Sequence, residues 1–284
     1  MSEMPELNYP TALEPSCRTH IWGRETWVAS VRPERPSVIA DGALAGTPLA
    51  SSNTGFRLLA KVIESDDRLS VQVHPNERTC VATGGEPKSE MWCMLDDGPI
   101  FAGLRYGVGP NDVRRAVRDG SFEDLLERID AKAGDVFMVP GGLVHSIGAG
   151  VRLYEVQQSS DTTFRLFDWN RVGTDGRPRA LHVDKSLMAI DYTLTPPVAA
   201  KSADCDYFSF RQLLVDGTAY IDGGADTLLF VARGSVSVGG LPAAEGASVL
   251  VPRGCRAEVS GSGALVFETR ERRNAGDVTM TGHF

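Results

Sequence analysis

Two stretches of the chain, KAGDVFMVPGGLVH (132–145) and AEGASVLVPRGCRAEV (244–259), follow one plan: a Gly turn, a short apolar strand ending in Val-Pro, then a second Gly. A β unit used twice restricts the fold to two similar barrels. Short apolar runs and frequent turn residues elsewhere agree with a mostly β chain. Strands are predicted at 56–63, 69–74, 89–95, 135–140, 152–158 and 164–169. The stretch GPNDVRRAVRDGSFEDLLERI (109–129) is the clearest exception. It reads as a small helical insertion over about 109–130, with Asn111 or Asp112 capping a first short helix, and Ser121 with Asp124 opening a second. TPPVAAKSAD (195–204) reads as a linker, giving domains 1–194 and 205–284. The two repeats differ in content. The second has Arg253 and Cys255 near the place where the first reaches His145, and TLLFVARGSVSVGG (227–240) carries no His, Gln or Glu. Chemistry is therefore expected in the first domain, with the second lacking metal ligands.

In DRLSVQVHPNE (67–77), strand alternation puts Ser70, Gln72 and His74 on one face and Val71 and Val73 on the other. In PKSEMWCML, Lys88 and Glu90 share a face, while Met91, Cys93 and Leu95 share the opposite one. VPGGLVH delivers His145 just after a Gly turn, where a side chain can be aimed into a barrel mouth. Polar side chains turned into a sheet interior need partners, and a metal ion can satisfy several at once. Gln72, His74, Glu90 and His145 offer two imidazole nitrogens, a carboxylate and an amide oxygen. That set suits Zn²⁺ or Fe²⁺ and leaves room for water or substrate.

The chain has a formal net charge of −8, which argues against nucleic acid or an anionic membrane surface as partner. An anionic ligand then has to be held by a local group of Lys and Arg. LYEVQQSSDTTFRLFDWNR (153–171) is dense with charge inside strand-like sequence, and Arg165, Arg171 and Lys88 provide such a group. No apolar run is long enough to span a bilayer. The start MSEMPELNYPTALEPS lacks the pattern of a signal peptide, and five scattered cysteines give no disulfide framework. A cytoplasmic location is expected.

The segments IWG (21–23), ETW (25–27), LSVQVHP (69–75), KSEMW (88–92), VPGGLVHSIGAG (139–150) and EVQQSSDTTFRLFDWNR (155–171) together resemble the type I mannose-6-phosphate isomerases, in their short bacterial form. The resemblance is strong over roughly 9–192 and cupin-like to about 270. It implies a double cupin with one zinc in the first barrel, held by Gln72, His74, Glu90 and His145. It implies substrate contacts at Ser70, Lys61 and Lys88, and acidic and basic site residues at Glu155, Asp161 and Arg165. Two features differ from longer relatives: the segment between IWG and ETW is nearly deleted, and Arg171, a candidate phosphate contact, stands where those tend to carry Lys.

The implied reaction moves a proton between C1 and C2 of a hexose phosphate through a cis-enediol, with a monomeric or homodimeric protein. Arg165 is expected to support oxyanion charge, and Glu155 or Asp161, assisted by Lys88, to carry the proton. Two rival readings keep the barrel. One is an iron-dependent cupin oxygenase, since two His and a carboxylate also describe that site. The other is a non-catalytic cupin that binds sugar phosphates. His182 reads as structural, His20 and His283 as exposed, Trp22, Trp27 and Trp92 as packing, and Cys80 and Cys93 as non-ligands.

Overall fold

The computed structural model describes residues 5–172 and 176–272. Its strands form three antiparallel sheets. The predicted strands appear within about two residues of their expected ends, as Leu58–Ser65, Val71–Val73, Glu90–Met94, Val136–Val139, Val151–Gln158 and Phe164–Phe167.

The chain divides into two compact units. Among the described residues, one takes in those of 17–26 and 60–200, the other 5–16, 27–59 and 201–272. The candidate site residues all fall in the first unit. The expected division by chain order, 1–194 and 205–284, differs from this one because strand Thr11–Glu14 pairs with Ser248–Val251 on one side and Val38–Ile39 on the other. Those pairings tie an N-terminal segment to the sheet of the last seventy residues described. Residues 273–284, including His283, lie outside the described residues. Within the expected linker, Ser202–Asp204 is a strand paired with Phe208–Ile221.

The first unit draws on a six-stranded and a five-stranded sheet. The six-stranded sheet runs Val136–Val139, Glu90–Met94, Val151–Gln158, Leu58–Ser65, Gly23–Ala29, Ser16–His20; the five-stranded sheet runs Phe164–Phe167, Val71–Val73, His145–Ile147, Gly98–Leu104, Leu126–Ala131. Apolar residues of both meet in a core that includes Trp22, Ile63, Trp92, Met94, Ile100, Phe137 and Leu153. A second core forms on the other face of the five-stranded sheet. There Val71 and Val73 pack with Phe101, Val113, Phe122 and Phe164. Both faces of Val71–Val73 are thus covered, which is why its polar face is buried as well.

The insertion supplies part of that cover through helix Pro110–Asp119 and the 3-10 turn Phe122–Leu125. Its N-cap is Gly109, two residues before Asn111 and three before Asp112, and Asp112 accepts the Gly109 N–H at 3.0 Å. Ser121 does not cap with its side chain; its hydroxyl donates to Asp119 at 2.6 Å. Beyond Leu125 the chain is a strand, Leu126–Ala131, so the insertion is shorter than expected. Between IWG and ETW only Arg24 remains, inside strand Gly23–Ala29, and that strand is joined to Ser16–His20 through Ile21 and Trp22 alone.

Candidate metal centre

Gln72, at the middle of its strand, lies across from His145 on one neighbour and from Arg165 on the other. Directly opposed residues of antiparallel strands share a face, so these three side chains project to one side. Glu90 opens its strand in the six-stranded sheet, opposed by Val139 and Gln157. The turn before His145 demands glycine twice. Gly142 has φ +99°, and a Cβ on Gly141 would lie 2.5 Å from the Pro75 carbonyl oxygen. The Gly142 N–H donates to the His74 carbonyl at 2.8 Å, which fastens the His145 turn to the other histidine's backbone.

These placements bring His74, Glu90 and His145 together, with ligating atoms all within 4.8 Å of one another. Nε2 of His74 is 3.3 Å from Glu90 Oε2, and Nε2 of His145 is 3.4 Å from Glu90 Oε1. Each imidazole turns its Nδ1 to a carbonyl, His74 to Thr162 at 2.8 Å and His145 to Leu143 at 2.9 Å. A carbonyl only accepts, so the proton sits on Nδ1 and each Nε2 lone pair faces the centre. The Gln72 amide approaches His145 Nε2 at 3.2 Å through Nε2. Half a turn of the amide presents its oxygen, the ligating end.

The electrostatics fit a cation. Glu90 Oε2 is met by the Lys88 ammonium at 3.1 Å, while the buried Oε1 accepts no hydrogen bond among the described residues, an arrangement that is costly without a further partner. Burial pushes the Glu90 carboxyl up, but Lys88, His74 and His145 outweigh it and hold the group well below the usual carboxylate range. Burial, then Lys88, pushes His74 down to about 3. Burial also lowers His145, against the opposing pull of Glu90. One anionic carboxylate and two neutral imidazoles are the protonation states that metal ligation requires. The donor set fits a divalent ion of the zinc or iron type.

Around this centre lies a ring of buried ions. Lys88 Nζ sits 3.2 Å from His74 Nε2 and 3.1 Å from Glu90 Oε2. Lys61 pairs with Glu155 at 2.9 Å, and the Trp92 indole N–H donates to the other Glu155 oxygen at 3.0 Å. Burial and the Glu90 charge push Glu155 up, opposed by Lys61 and Lys88. Burial lowers Lys61, but Glu155 and Glu25 more than offset it and hold the ammonium above its usual range. Ser70 is buried beside Gln72.

The other expected site residues are placed differently. Asp161 is exposed, on the loop that supplies the Thr162 carbonyl to His74. Arg171 is already engaged, by Asp168 at 2.7 Å and Asp67 at 3.0 Å. The Arg165 Nη1 donates to the Ala180 carbonyl at 2.9 Å, while its Nε is buried without a hydrogen-bond partner.

Sequence reasoning missed two participants. Arg179 forks onto Asp168 at 2.7 and 2.5 Å and, behind burial, its charge helps to lower the Arg165 pKa; nothing in the spacing of RPRALH marks it. Glu25 lies 3.5 Å from Lys61, and its alternation with buried Gly23 and Trp27 is a signal that could have found it. His20, expected to be exposed, is half-buried, stacked on Trp22 at 4.6 Å and 3.6 Å from Glu25. The structural reading of His182 fits its place, where Nδ1 accepts the Arg165 backbone N–H at 3.1 Å. Trp22, Trp27 and Trp92 are buried, and all five cysteines are free.

Comparison with known proteins adds sequence and fold relatives. The chain is 32% identical over 224 residues to the mannose-6-phosphate isomerase ManA of Bacillus subtilis, covering 69% of this chain and 71% of that protein. The chain belongs to the mannose-6-phosphate isomerase family. It is also 36% identical over 194 residues to the mannose-6-phosphate isomerase of Streptococcus mutans, a match of 63% of this chain that spans 61% of that relative's length. No family-level sequence profile matches the chain.

Among solved structures, the mannose 6-phosphate isomerase of B. subtilis superposes with a TM-score of 0.81 at 22% identity, covering 92% of this chain and 99% of that one. A zinc-bound mannose 6-phosphate isomerase superposes with a TM-score of 0.70 at 14% identity, over 93% of this chain and 100% of that one. The fold of the family member described here is mostly β and consistent with a double cupin.

Proposed function

We propose that the chain is a zinc-dependent aldose–ketose isomerase that interconverts mannose 6-phosphate and fructose 6-phosphate. The observation that carries this reading is the buried His74–Glu90–His145 cluster, with its carboxylate oxygen Oε1 left open and its inward-facing Nε2 atoms, in a chain whose relatives bear that activity in their names. Zinc is the ion in the holo relative, and Gln72 is the fourth ligand in our reading.

Bound there, zinc supplies Lewis acidity to the sugar oxygens. The remaining work falls to the chain. The C2 proton of the aldose leaves to a base and returns at C1, while the O2 proton passes to O1, so the two sugars differ only in where hydrogen sits. Lys88 and Glu155 are the proton carriers we favour, because both are buried against or beside the centre and Asp161 is exposed. Arg165, projecting on the face of Gln72, stabilises negative charge on the enediol oxygens. Ser70, Lys61 and Arg171 hold the substrate in our assignment. For Arg171 this means that phosphate competes with Asp67 and Asp168. Buried ions fixed by one another keep their geometry through the reaction, which lowers the reorganisation the chemical step requires.

A coupled assay with mannose 6-phosphate tests the reading. Turnover is expected to vanish on dialysis against a chelator and to return with zinc. Oxygen-dependent turnover restored only by iron points to an oxygenase; saturable binding of the sugar phosphate with no conversion points to a binding protein. Either outcome overturns the proposal.

A further inference from the structure

A second built site lies in the unit that contains residues 201–272, outside the repeat at 244–259. A groove of about 580 Å³ is lined there by Ser202, Arg211, Tyr220, Asp222, Glu268 and Arg270, among others. Arg211 opposes both Ser202 and Glu268, and Glu268 opposes Leu229 on the next strand. The polar row is therefore continuous with the face on which Leu229 packs into the core with Val249 and Val266.

Glu268 is 1% exposed and carries two guanidinium groups. Arg211 donates to its Oε2 through Nε at 2.8 Å and Nη2 at 2.6 Å, and Arg270 donates to Oε1 through Nε at 2.5 Å. Only the carboxylate is buried: the Arg211 and Arg270 side chains are 54% and 26% exposed, so the pairing is worth little to the fold. It does fix the planes of two cations. Arg211 Nη1 and Arg270 Nη2 are left without a protein partner among the described residues, so both point to donors held ready for something else. Acceptors stand close by. Asp222 takes Arg270 Nη1 at 3.1 Å while remaining 63% exposed, and Asp204, also lining the groove, pairs with Arg272 at 2.6 Å.

The three arginines and three acids cancel in charge, so the groove has no net attraction for an anion. Fixed donors interleaved with exposed acceptors match a ligand whose groups both donate and accept, and hydroxyls do both. Tyr220, 70% exposed at the edge of the groove, adds an aromatic face for the C–H surface of a ring. We infer that this groove binds an uncharged carbohydrate through the guanidinium edges of Arg211 and Arg270, with Tyr220 as its platform. The isomerisation assigned above has no part in this recognition.

Methyl α-D-mannopyranoside, which has neither a phosphate nor a free C1 carbonyl, is a suitable probe. Calorimetric titration of the full chain is expected to show saturable binding. Tyr220→Ala and Arg211→Lys each change an exposed side chain and leave sugar-phosphate turnover as it was. Each is expected to weaken the probe at least about tenfold, equivalent to about 1.4 kcal/mol. No saturable binding, or equal affinity in both variants and the parent chain, overturns the inference. So does displacement of the probe by inorganic phosphate, which marks an anion site instead.

Discussion

In the turn after Val139 the Gly142 N–H donates to the His74 carbonyl at 2.8 Å and the Leu143 N–H to Pro140 at 3.0 Å; in the turn after Val251 the Gly254 N–H donates to Gly223 at 2.8 Å and the Cys255 N–H to Pro252 at 3.0 Å. The two repeats build the same backbone device. Gly142 and Gly254 even share the left-handed region, with φ +99° and +89°. What differs is the load. The first turn leads into His145, opposite Gln72, and the strand before it borders Glu90. The second leads to Ala257 and borders Leu229 and Val249, which belong to an apolar core. The scaffold does not require the site. Polar side chains on the interior face of the first repeat cost desolvation free energy, and the cation we propose there would offset it.

The largest expected contrast comes from matched substitutions. His145→Ala removes a proposed ligand and is expected to lower both metal content, by atomic absorption, and turnover, by roughly 1,000-fold or more. Cys255→Ala, in the other repeat, is expected to change neither. Equal effects at the two places would end the contrast. Arg165→Ala sharpens it from inside the site. Loss of one charge-stabilising donor is expected to reduce kcat by about 100–1,000-fold, with metal content retained.

Stability should divide the repeats as well. In the metal-free chain, burial holds the folded His74 pKa at about 3, below its free value of 6.5. Between those values the unfolded chain binds a proton that the folded one refuses, so stability falls as pH drops from 6.5 toward 3. The depressed Glu90 carboxyl adds a loss in the same direction, as the unfolded carboxyl takes up its proton first. Denaturant titrations of metal-free protein should show this slope, and His74→Gln should flatten it. Residues 201–272 hold no histidine, so nothing there adds to the part of the slope that His74 contributes. Smallest are the two glycines. Gly254→Ala meets open space and is expected to cost about 1–2 kcal/mol from φ alone. Gly142→Ala adds a contact 2.9 Å from the Asp191 Cβ and should cost more, and it should weaken metal binding through the His74 and His145 backbone.

Much of this was legible because strands alternate. Period two set Gln72 and His74 against Val71 and Val73, and the structure keeps that division, with the valines in a core of their own. The repeat announced both turns. Three things were not legible. Strand pairing between Thr11–Glu14 and Ser248–Val251 is non-local, so chain order does not reveal which compact unit takes in the N-terminal segments. Ion pairs such as Arg179 with Asp168 depend on where an irregular segment returns, which periodicity does not encode. And the groove around Glu268 joins that carboxylate to Arg211, 57 residues away in the chain, a pairing that no spacing encodes.

Anomalous diffraction at the zinc edge, on crystals of protein purified with zinc, tests the central assignment most directly. The account expects one strong peak per chain, within ligating distance of Gln72, His74, Glu90 and His145. A peak bound elsewhere, or full zinc occupancy in a Glu90→Ala variant, would contradict it.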